Sequence, residues 1–130
     1  MLDPELTHVT VMTPRGIGAI ASCLVFGPDA FRAVNDCFSP RREKPLSVVD
    51  QGRVLFGDWQ GAEELLVCVR DEKSIEVHCH GGMAAVTAII TSLVAVGCQQ
   101  CESEQLHELL ESDPLVRLAG QLLPAAPTAR

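Results

Sequence analysis

The stretch Ile75-Glu76-Val77-His78-Cys79-His80-Gly81-Gly82 constrains this chain more than any other. Alternating apolar and polar residues up to His80 read as a strand with one buried face. The glycine pair then opens into the apolar run Met83 to Val96, which reads as a buried helix. A strand that turns through two glycines into a helix can form a small-ligand site. One sheet face offers His78 and His80, and the helix start adds unpaired backbone N–H groups. Gly81 and Gly82 have a backbone reason to be there, since such a turn favours φ > 0 or close approach.

The rest of the chain must supply a sheet for that strand. His8 to Met12 alternates as a short strand, Thr13 to Gly18 reads as a turn, and Ala19 to Phe26 is a buried strand. Gly27-Pro28-Asp29 starts a helix with Ala30, Phe31, Val34 and Phe38 at helical spacing. Ser39 to Pro45 reads as a polar loop. Strands are expected at Val48-Val49, Arg53 to Phe56, Glu64 to Val69 and Ser74 to His80, with turns at Gly57 to Gly61 and Asp71 to Ser74. Gly97 is placed to cap the long helix, and Cys98 to Cys101 to form one more short strand.

Beyond residue 101 the pattern changes. Leu106, Leu109 and Leu110 face one side of an expected amphipathic helix, a second helix follows Asp113-Pro114, and Pro124 to Arg130 is a Pro- and Ala-rich tail. The expected order is two strands, a helix, three strands and a helix in residues 1–101, then a helical extension in 102–130. This is an α+β domain rather than an alternating βαβ one.

Composition narrows the function classes. The 130 residues carry a net charge of −7, and the basic knot Arg41-Arg42-Lys44 is interrupted by Glu43. A direct nucleic-acid binder needs clustered cations, so none is expected here. Met83 to Val96 is too short to span a bilayer, and Met1 to Glu5 lacks the basic, then apolar, pattern of a signal peptide. A cytoplasmic setting is expected, with the six cysteines reduced. One Cys-x2-Cys, Cys98 to Cys101, with His78 and His80, leaves a small zinc or redox module as an alternative reading.

Two motifs resemble one family. Thr13-Pro14-Arg15-Gly16-Ile17-Gly18-Ala19-Ile20, followed by Gly27-Pro28-Asp29-Ala30, is similar to the opening of the TrmE (MnmE) tRNA-modification GTPases. Glu76-Val77-His78-Cys79-His80-Gly81-Gly82 resembles that family's Glu-Ile-His-Cys-His-Gly-Gly. The resemblance covers roughly residues 7 to 100, the amino-terminal domain. It implies a β2-α-β3-α unit, half of the aminomethyltransferase-type folate fold, which forms a homodimer and binds 5-formyltetrahydrofolate. It also implies a longer parent with helical and GTPase domains that modifies the wobble uridine of tRNA together with a flavin-dependent partner.

On this reading the cofactor-binding positions are Glu72, His78, His80, Gly81, Gly82 and Arg15, with no metal ligand. A carboxylate such as Glu72 accepts hydrogen bonds from a pterin ring N–H and its amino group. The family has an arginine where this chain has Leu24, and a Thr-Gly-Glu-Asp loop where it has Arg70-Asp71-Glu72-Lys73. No Gly-x-x-x-x-Gly-Lys-Ser/Thr occurs, and no activated nucleophile is identifiable, so no catalysis is expected of this chain alone. The alternative within the same ancestry is a dimerisation or scaffold module that no longer binds folate. The chain reads as an excised module or a free-standing relative.

Overall fold

The computed structural model describes residues 3–12, 20–42, 44–61, 63–80 and 82–105. The expected turn at 13–18, the position Gly81 and the helical extension from 106 onward lie outside them. The elements are β1 (His8–Val11), β2 (Ile20–Phe26), α1 (Ala30–Cys37), β3 (Phe38–Pro40), a 3-10 turn (Val48–Asp50), β4 (Val54–Trp59), β5 (Glu63–Asp71), β6 (Ser74–His80), α2 (Gly82–Ala95) and β7 (Gln99–Gln100). This is a mixed α+β arrangement. The expected order of two strands, a helix, three strands and a helix is present, β7 falls within the short strand expected at Cys98 to Cys101, and the short β3 is added.

The strands form one seven-stranded sheet in the order β3-β4-β5-β6-β2-β1-β7. Every pairing is antiparallel except β1 with β7. Period-two alternation gives the sheet one dry face, made by Val9, Cys23, Val25, Val67, Val69, Ile75, Val77 and Cys79. Both helices complete that core. In α1 the small residues Ala30 and Ala33, with Val34 and Cys37, are buried; in α2 the buried positions Val86, Ile89, Ile90 and Leu93 recur at helical spacing.

Local chemistry overrides apolar pattern in two places. Val48-Val49, expected as a strand, lies in the 3-10 turn, where the side chains of Ser47 and Asp50 form a capping box. Phe38 ends α1 by entering β3, so the expected loop from Ser39 begins as a strand paired with Trp59, Asp58 and Gly57. Correspondingly β4 runs through the expected turn at Gly57 and reverses only at Gln60-Gly61.

The motif Gly27-Pro28-Asp29 has a packing reason. Gly27 sits at φ +142°, and a Cβ there would lie 2.5 Å from the Thr7 Cα. That close approach lets Thr7 Oγ1 accept the Asp29 N–H over 2.8 Å, tying the start of α1 to the chain just before β1.

Candidate functional site

On β6, Ile75, Val77 and Cys79 are buried against the helices, so Glu76, His78 and His80 take the opposite face. Cross-strand register extends that face sideways. Glu76 lies opposite Cys68 on β5 and Leu24 on β2; His78 lies opposite Leu66 and Ser22. Leu66 in turn faces Phe56 on β4, and Cys68 faces Val54. Leu24 is only 3% exposed, whereas Leu66, Phe56 and Val54 are exposed. The face therefore grades from a buried end at β1 and β2 to an open apolar strip at β4 and β5.

A polar row occupies the middle. The Arg70 guanidinium forms an ion pair with Glu76, both side chains being less than a fifth exposed. Glu76 Oε1 also lies 2.8 Å from His78 Nε2. An ionised carboxylate only accepts, so His78 donates from Nε2 and is the Nε2–H tautomer when neutral. Burial, and then the Arg70 charge, lower the His78 pKa below its ordinary value. Arg70 gets there by continuing the outward alternation of Leu66 and Cys68 along β5, beside a shift in register between Val69 and Asp71.

The positions expected from sequence are not all brought together. His78 and His80 share the outer face of β6, with His80 exposed at its end. Gly82 begins α2 at φ +69°, with open space where a Cβ would sit; positive φ, not close approach, explains it. Glu72 is exposed in the turn joining β5 to β6. A strand of this length separates Glu72 from His80 by roughly 20 Å, so one compact ring cannot touch both within a protomer. Arg15 and Gly81 lie outside the described residues.

The zinc alternative is not assembled. Among the described residues no group of three or more His, Cys, Asp or Glu side chains could hold a metal ion. Cys98 is buried in the helix-side core, where burial pushes its thiol up to about 11. Burial also raises the Cys101 thiol, against a hydrogen bond with Thr10 that lowers it. Neither is a reactive thiolate at neutral pH.

Two features had little signal in the sequence. Arg70 reads as part of a charged turn, and only its place beside the hairpin hints at a partner on β6. His8 reads as the first residue of a strand, yet it is 2% exposed and its Nδ1 has no hydrogen-bond partner among the described residues. Burial lowers the His8 pKa, more strongly than its bond to the Leu6 backbone and the charge of Asp3 raise it.

Comparison with known proteins identifies relatives of this sequence. The chain is 34% identical over 111 residues to the tRNA modification GTPase MnmE of Carboxydothermus hydrogenoformans. It is 30% identical over 112 residues to that of Oceanobacillus iheyensis, and 31% over 109 residues to that of Christiangramia forsetii. The chain belongs to the MnmE family. These matches take in 75%, 78% and 75% of this chain but only 24%, 24% and 23% of the relatives, consistent with the MnmE amino-terminal domain. The chain thus spans about a quarter of the length of the curated MnmE proteins it matches. No family model matches it. Among the described residues, no helix is long and apolar enough to cross a membrane.

Proposed function

We propose that this chain is the folate-binding and dimerising domain of an MnmE-type wobble-uridine tRNA modification system. The observation that carries the reading is the β6–Gly82–α2 junction, with its outward His78 and His80, in a chain related to MnmE over three quarters of its length. The ligand is 5-formyltetrahydrofolate or a related one-carbon folate. GTP hydrolysis and contact with a flavin-dependent partner belong to a longer parent protein in the cytoplasm, because this sequence has no P-loop motif.

The residues fit such a ligand through their donor and acceptor chemistry. A pterin edge carries N–H donors, and the face offers Glu76 and the unprotonated nitrogen of His78 beside the apolar Leu66. His80 and the start of α2 at Gly82 supply the end of the site. Glu72 would make a separate contact.

A second reading has its own support. Leu24, buried opposite Glu76, stands where the family resemblance implies an arginine suited to a folate carboxylate. The exposed strip Val54, Phe56 and Leu66 suits protein contact instead. On that reading the chain dimerises or scaffolds without folate. Calorimetric titration of the 130-residue protein with 5-formyltetrahydrofolate decides between them. Saturable heat supports folate binding; no heat at millimolar ligand leaves the scaffold. Light scattering tests the dimer, and a monomer at high concentration removes that part of both.

A further inference from the structure

We propose that Arg70 is a positioning residue that, through Glu76, holds His78 as the neutral Nε2–H tautomer and leaves Nδ1 as an acceptor for a ligand N–H. The ligand class is a neutral heterocycle or amide bearing N–H donors. This deepens the ligand-binding reading above and rests on it.

The argument is one of hydrogen-bond capacity. Arg70 keeps Glu76 ionised by direct pairing, and an ionised carboxylate cannot donate to His78. The ring must then donate a hydrogen bond from its Nε2–H to Glu76, at 2.8 Å. Among the described residues His78 has no other hydrogen-bond partner, and none of them donates to Nδ1. The side chain is 31% exposed, which leaves the ring accessible from the open face.

Among the described residues the surroundings add little charge of their own. On β6 the flanking titratable groups are Glu76 and His80. From β5, Leu66 lies directly opposite, with Cys68 and Glu64 diagonal to it and Arg70 beyond; Glu64 is engaged by Arg41. From β2 the facing residues are Ser22 and Leu24, both uncharged. Among the described residues Arg70 is thus the cation that opposes a second positive charge on His78.

Two-dimensional nitrogen NMR of the histidine rings, on the whole 130-residue protein without ligand, reads both tautomer and titration midpoint. In the unmutated protein His78 should show a protonated Nε2 and a bare Nδ1 at neutral pH. Arg70→Met should raise the His78 midpoint by roughly half a pH unit or more, as an opposing charge is lost. Arg70→Lys should restore most of the original midpoint, and it serves in place of Arg70→Met if that variant fails to fold. A protonated Nδ1 in the unmutated protein overturns the proposal. So does a midpoint that Arg70→Met leaves unchanged, or, should Arg70→Met not fold, an Arg70→Lys midpoint far from the original. Because no folate is present, these outcomes stand apart from the calorimetric result. A tautomer as expected with no folate heat refutes the folate reading and leaves the Arg70 assignment intact.

Discussion

Trp59 on β4 donates its indole N–H to the Ser92 hydroxyl on α2 over 2.8 Å, and both side chains are buried. The Ser92 hydroxyl in turn donates to the Ile89 carbonyl at 2.7 Å, so the chain of donors ends on the helix backbone. The outer half of the sheet is thereby fixed to the long helix by one polar contact inside an apolar core. Ser92→Ala should leave the Trp59 N–H buried without a partner and cost about 1–3 kcal/mol of stability. Trp59 is the chain's single tryptophan, so urea unfolding followed by its fluorescence measures that loss. An unchanged midpoint would sink the claim.

Asp50 organises the loop between β3 and β4. Its carboxylate accepts from Arg42 Nη1 at 2.9 Å and Nη2 at 2.6 Å, and from the Ser47 N–H at 3.0 Å, while only 1% exposed. The Arg42 hydrogen bonds hold its carboxyl at about 2, below the ordinary 3.8. That stability is present above pH 3.8 and disappears as pH falls through about 2. Asp50→Asn should cost on the order of 2 kcal/mol near neutrality. Denaturation at pH 7 and pH 2 should show the gap between variant and parent closing in acid.

His8 titrates in a milder range. Its folded pKa lies below 6.5, so the unfolded chain takes up the proton first. The contribution is complete above pH 6.5 and is lost as pH falls below it. His8→Leu should therefore flatten part of the fall in thermal midpoint between pH 7.5 and pH 5. His78, lowered in the same direction, supplies a remaining slope. Identical slopes in parent and variant would rule His8 out as a source.

Phe56 should report on association. The Arg41 guanidinium lies 4.9 Å from its ring centroid, and Arg41 also pairs with Glu64 and Asp58. If copies meet on the open strip, Phe56→Glu should weaken self-association at least about tenfold, near 1.4 kcal/mol, without unfolding the sheet. Sedimentation at several concentrations measures this, and an unaltered association constant excludes the strip.

How much of this was readable beforehand follows from period and reach. β6 and α2 were legible because Ile75 to Cys79 alternates and Val86, Ile89, Ile90 and Leu93 repeat at helical spacing. β3 was not, since three residues ending in proline carry no period. Val48-Val49 misled because β-branched residues suggest a strand, whereas the Ser47 and Asp50 side chains offered the backbone closer partners. In the candidate site His78 and His80 were found by face. Arg70 was not, because its neighbours Asp71, Glu72 and Lys73 make it look like part of the charged turn, although it continues the outward alternation of Leu66 and Cys68.

The two outer strands of the sheet have a practical meaning for anyone handling this protein. Along β3, Pro40 lacks the N–H that a foreign strand would need, and β7 offers only two residues for pairing. Runaway fibre-like stacking along those margins has little template to work from. If a twin copy or another polypeptide docks on this sheet, its broad side, where contact area and not backbone pairing decides who stays, is the better template.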